Sequence, residues 1–103
     1  MSQNDTATKI GNAWALHRQG SNDKAIEAFY AITRADGNSF DALYGLGLAQ
    51  RTTGMKDAAA KSFQDCLAVI SKLLLSNPSE DRYQMMHRMV SQRLAELGKQ
   101  PSA

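Results

Sequence analysis

The sequence predicts an all-α protein of five helices, packed as a compact array of antiparallel hairpins. Three observations lead there. Apolar residues recur at helical spacing in five successive stretches, and none alternates with period two. The ten-residue phrase Gly20-Ser-Asn-Asp-Lys-Ala25-Ile-Glu-Ala-Phe29 returns 34 positions later as Gly54-Met-Lys-Asp-Ala-Ala59-Ala-Lys-Ser-Phe63. A fixed period in this range marks stacked supersecondary units. The breakers between stretches are short, so sequential helices should lie antiparallel.

Residues 1–5 read as a loose start, with Asp5 or Thr6 able to cap a helix that begins near Ala7. Ile10, Ala13, Trp14 and Leu16 follow at helical spacing. Gly20 ends this helix, because glycine takes the left-handed conformation at little cost. Ser21 or Asn22 starts the second helix, whose apolar stripe is Ala25, Ile26, Phe29 and Ile32. The turn cluster Asp36-Gly37-Asn38-Ser39 closes it. The third helix should run from about Ser39 to Thr53. Phe40, Leu43, Leu46, Gly47 and Gln50 lie on one side of it, with Tyr44 and Leu48 off that side. Gly54 closes it as Gly20 closed the first.

The fourth helix should begin near Lys56 and run to about Ser76, with a stripe of Ala59, Phe63, Cys66, Leu67, Ile70 and Leu74. Asn77-Pro78 looks like a cap and first position for a fifth helix spanning 78–98, because proline's missing N–H costs nothing there. Its stripe is Tyr83, Met86, Val90, Leu94 and Leu97. Residues 99–103 read as tail.

Composition narrows the function classes. With 103 residues, 43% apolar and 21% charged, the chain has the makings of one modest core. The formal charge is +2 with dispersed Lys and Arg, which argues against a nucleic-acid binder. The apolar stretch Cys66–Leu75 is broken by Ser71 and Lys72, well short of the ~20 residues needed to cross a bilayer. The polar N-terminus lacks the pattern of a signal peptide, and the lone Cys66 supports no disulfide framework. A cytoplasmic protein without direct membrane insertion is the expectation.

Signals for chemistry are weak. His17 and His87 have no companion ligands at i+3 or i+4 that suggest a metal site. Cys66 sits in a core stripe without cationic neighbours. Glu27, Asp41, Asp57, Asp65, Glu80, Asp81 and Glu96 are scattered, and the glycines form no phosphate loop. The expectation is no enzyme, no metal and no cofactor.

At its repeated phrase the chain resembles the tetratricopeptide repeat family. That resemblance implies a right-handed α-solenoid of helical hairpins, with one unit at 6–39 and a second at 40–77 whose second helix is extended. A capping helix at 78–98 would follow. Gly20, Ala25 and Phe29 match the pattern in the first unit; Leu46, Gly47, Gly54, Ala59 and Phe63 match it in the second, with Leu43 and Cys66 alongside. Lys9, Asn12 and Ala13 depart from it, as terminal repeats often do. Gly37 stands where the family has proline. From Gly54 to Gly98 the spacing is 44 rather than 34.

The resemblance further implies a concave groove lined by the first helix of each unit. Ala7, Ile10, Trp14, His17 and Arg18 would face it from the first helix, and Asp41, Tyr44, Leu48, Arg51 and Thr52 from the third. Met85, Arg88, Met89 and Gln92 would join them if Gly98 sets the register of the fifth helix. Family members that grip acidic chaperone tails use Lys, Asn and Arg here; this chain has Ile10, Trp14, Gly45, Met85 and Met89 instead. The expected partner is therefore an apolar or amphipathic peptide, held by Ile10, Trp14, Tyr44 and Leu48, with Arg18 and Arg51 steering an acidic flank. The opposing possibility is that Trp14 and Tyr44 simply pack on each other inside the fold. The rival function is self-association, a homodimer through Val69, Leu75, Met85 and Met89.

Overall fold

The computed structural model describes residues 5–98 and contains five α-helices: α1 (Asp5–Arg18), α2 (Asn22–Ala35), α3 (Phe40–Thr52), α4 (Lys56–Ser76) and α5 (Asp81–Glu96). There is no strand among the described residues. Each helix packs on the next in sequence, and α1 also touches α3. Of the expected loose start at 1–5, Asp5 is already helical; residues 1–4 and the expected tail at 99–103 lie outside the described residues.

The repeated phrase opens on the same device twice. Gly20 and Gly54 adopt φ of 84° and 81°, in the left-handed region. Ser21 N donates to Leu16 O at 2.9 Å, and Met55 N donates to Gln50 O at 2.9 Å. These reach-back bonds satisfy carbonyls that the helix end would leave orphaned. Ser39 caps α3, its Oγ accepting from Ala42 N at 3.4 Å.

Two boundaries differ from expectation. α1 is already helical at Asp5, two residues before Ala7. α5 begins at Asp81 rather than Pro78. Asn77 does not cap α5; it ends α4, with its Nδ2 donating to Leu73 O at 2.9 Å. The backbone then turns, Glu80 N donating to Asn77 O at 3.1 Å, and Gln84 Nε2 donates to Pro78 O at 2.7 Å. Asparagine serves either helix end, and the local sequence alone does not say which.

The core has two buried clusters. One joins Ala13, Ala25, Phe29 and Ile32 to Ala42, Leu46 and Ala49. The other joins Leu43 to Ala59, Phe63, Cys66, Leu67, Ile70, Val90 and Leu94. α3 contributes to both, so it is buried on two faces, where the spacing suggested one. Gly45 and Gly47 make this possible. A Cβ at Gly45 would collide with the Phe29 ring, and one at Gly47 would lie 2.5 Å from Phe63 Cε1. Between α3 and α4, Ser62 Oγ donates to Gln50 Oε1 at 2.6 Å inside the core. A buried polar pair is tolerated because each group satisfies the other.

α5 buries Val90 and Leu94 on α4, with Tyr83, Met86 and Leu97 packed around them. All five belong to the stripe read from sequence. Tyr83 also meets Phe40 edge-on at 6.0 Å, and Arg82 lies 5.4 Å from the Phe40 ring centre. α4 overhangs this packing, leaving Leu75 85% exposed.

Gly47→Ala should cost about 1–3 kcal/mol through overpacking, and Phe63→Ala about 3–5 kcal/mol through the cavity it leaves. Urea unfolding measures both. Losses below about 1 kcal/mol in each would contradict the packing of Phe63 on Gly47.

Candidate functional site

Of the residues expected to line a groove, Trp14 of α1 meets Asp41 and Tyr44 of α3 where the two helices touch. Trp14 is half-buried and is held from several directions. Its Nε1 donates to Asp41 Oδ1 at 3.0 Å. Its ring meets buried Phe29 edge-on at 5.2 Å, lies 6.4 Å from Tyr44 and 6.0 Å from His17. Tyr44 in turn lies 5.9 Å from the buried ring of Phe63. Trp14 and Tyr44 thus do pack together, yet each keeps part of its surface in solvent. Ile10, one turn before Trp14, and Leu48, one turn after Tyr44, are half-buried as well, packed on the two core clusters.

α5 extends this side of the molecule. Arg51 Nη1 donates to Glu96 Oε1 at 3.1 Å, placing the Glu96 face of α5 beside α3. At 100° per residue, Met85, Gln92 and Glu96 fall within about 40° of one another, so they share that face. Met85 is 49% exposed and Met89 37% exposed. Arg88 and Gln92 are exposed too.

Charge differs from expectation at one residue. Arg51 is not free to steer an acidic flank, because Glu96 holds it, and Arg93 Nη2 donates to the other oxygen of Glu96 at 2.9 Å. Arg18 is exposed, at the end of α1, and has no carboxylate partner among the described residues. His17 is hydrogen-bonded through Nδ1 to Asn22 Oδ1 at 2.9 Å. Asp41 and Glu96, scattered acids in the sequence, turn out to tie helices together. Neither tie has a sequence signal, since the partners are 27 and 45 residues apart.

Of the residues proposed for self-association, the two on α4 look in different directions. Val69 and Leu75 lie roughly 120° apart around α4. Val69 lines a crevice of about 300 Å³ with Asn38, Lys72, Leu73 and Ser76, and Leu75 does not. Met85 and Met89 belong to α5, on the face that Glu96 marks.

Among the described residues, no cluster of three His, Cys, Asp or Glu could hold a metal, and no helix is long and apolar enough to cross a membrane. Cys66 is fully buried, its Sγ donating to Phe40 O at 3.3 Å. Burial, with the carboxylates of Asp41 and Asp65 adding to it, pushes the thiol from 9.0 up to about 12. It therefore stays protonated at neutral pH, which removes it as a nucleophile.

No family model, curated protein or solved structure matches the chain.

The thiol carries a pH prediction. The folded state holds the Cys66 proton above the point where the unfolded chain releases it. Its contribution to stability is thus complete below about 9 and is lost as pH rises toward about 12. The fall should be shallower in Cys66→Ala, compared with wild type by denaturant unfolding across that range. Equal slopes would contradict a raised thiol.

Proposed function

We propose that the protein is a non-catalytic adaptor that holds an apolar or amphipathic peptide segment along the α1–α3–α5 face. The observation that carries this is the half-exposed seam of Ile10, Trp14, Tyr44 and Leu48, backed by two buried rings and continued by exposed Met85 and Met89. Aromatic side chains in fixed orientation bury large area at low entropic cost, which is why they dominate binding energy at interfaces. Methionines adapt their shape to a partner's side chains. Arg18 and Arg88 are the cations left to meet an acidic flank, while Arg51 holds α5 in place.

The finer architecture belongs to this reading. The sequential packing, the twin glycine caps and the phrase repeat support a right-handed α-solenoid of two tetratricopeptide-like hairpins, with α5 as the capping helix. A cytoplasmic location accords with the single buried thiol. Self-association through α4 and α5 is the weaker reading, because Val69 is half-buried and turned away from Leu75.

A displayed library of random peptides, selected on the folded protein, tests this reading. The recovered peptides should be apolar or amphipathic, and should shift amide resonances along α1 and α3. Trp14→Ala should weaken them by about 2 kcal/mol, roughly thirtyfold, while circular dichroism stays helical. Peptides indifferent to Trp14→Ala would refute the site. Recovery of no binder, together with a concentration-dependent dimer in light scattering, would favour self-association.

A further inference from the structure

We infer that the back of α1 is a second docking face, which takes an amphipathic helix of a partner protein carrying an aromatic residue four positions after a small one. Three observations converge there. The first is an occupied counterpart within this chain, more apolar because Leu46 and Ala42 stand where α1 has Asn12 and Thr8. On α3, Ala42, Gly45, Leu46 and Ala49 form the face that α2 covers, with the Phe29 ring seated on Gly45. The repeat places Thr8, Gly11, Asn12 and Ala15 at the corresponding positions of α1. No helix covers them among the described residues; Thr8, Gly11 and Asn12 are exposed and Ala15 is half-buried.

The second is Gly11 itself. Glycine inside a helix is destabilising relative to alanine, so it needs a reason. At Gly45 the reason is the Phe29 ring. At Gly11 a Cβ would meet nothing within 4 Å. The fold does not require this glycine, and an aromatic ring arriving from outside would.

The third is an open crevice beside it. Thr6, Lys9 and Asn12 face Ala28, Ala31 and Ile32 across a space of about 310 Å³. In the second unit the same three positions carry Phe40, Leu43 and Leu46, whose side chains pack into the core. The space will accept an apolar side chain of the partner helix, next to the aromatic on Gly11. Lys9 stands at the rim and has no carboxylate partner among the described residues, so an acidic residue on the partner would pair with it. A second folded copy cannot supply the helix by offering α2, because α2 is already packed between α1 and α3.

The pattern of the occupant is that of α2, Ala25-x-x-x-Phe29, and it supplies the probe. A synthetic peptide with the sequence of residues 21–36, stapled across its positions 23 and 27 to hold it helical, is titrated to about 1 mM into the isotopically labelled full chain. Amide shifts should appear at Thr8, Gly11, Asn12 and Ala15. Gly11→Leu should retain the fold, since the site is open, and weaken the peptide by at least about tenfold. Changing the peptide's Phe29 to Ala should do the same. Three outcomes would overturn the inference: no shifts on the back of α1, binding indifferent to Gly11→Leu, or shifts centred on Gly45, which mean that the peptide replaces α2.

Discussion

α3 is a helix gripped from two sides, and the remaining helices take their places from that grip. Gly45 and Gly47 are two residues apart, about 200° around the helix, so they look in nearly opposite directions. The Phe29 ring fills one gap and the Phe63 ring the other. Each aromatic comes from the helix beside α3 in sequence, and each sits nine residues past a left-handed glycine. Close approach of backbones is what a side-chain-free position permits. The rings convert that approach into buried area and dispersion contacts.

The same two rings support the surface that faces a partner. Phe29 backs Trp14, and Phe63 backs Tyr44. Core and candidate site are thus one aromatic chain rather than two systems. The Asp41 carboxylate then sets the rotation of the indole, and Glu96 draws α5 toward α3. Exposed ion pairs contribute little stability, generally under about 1 kcal/mol. Their value here lies in orientation, holding half-exposed side chains where a partner would meet them already ordered.

Much of the fold was legible residue by residue. The stripes of α2, α4 and α5 predicted their buried faces, because an amphipathic helix with one buried face repeats its pattern at 3.6 residues. Gly20 and Gly54 predicted helix ends, since only a positive φ closes those turns cheaply. α3 resisted this reading. Its second buried face is made of Leu46 with Ala42, Gly45 and Ala49, and the last three are too small to register as an apolar stripe. Asn77-Pro78 misled for a related reason: Asn77 completes α4, and the sequence cannot weigh that bond against an N-cap, although α5 begins four residues later. Arg51 could be placed on a face but not in a pair, because Glu96 reaches it from another helix.

By itself, the sequence determined five helices, their order, the glycine caps and the Gly–Ala–Phe frame. Each of these follows from local backbone preference or from periodicity, which act within a few residues. Only the tertiary structure decided which glycines receive rings, that Trp14 is pinned by Asp41, that Arg51 is taken up by Glu96, and that Gly11 lies open while Gly45 is filled. Those are contacts between residues far apart in the chain. They depend on the rotation and spacing of packed helices, which no single stretch of sequence carries.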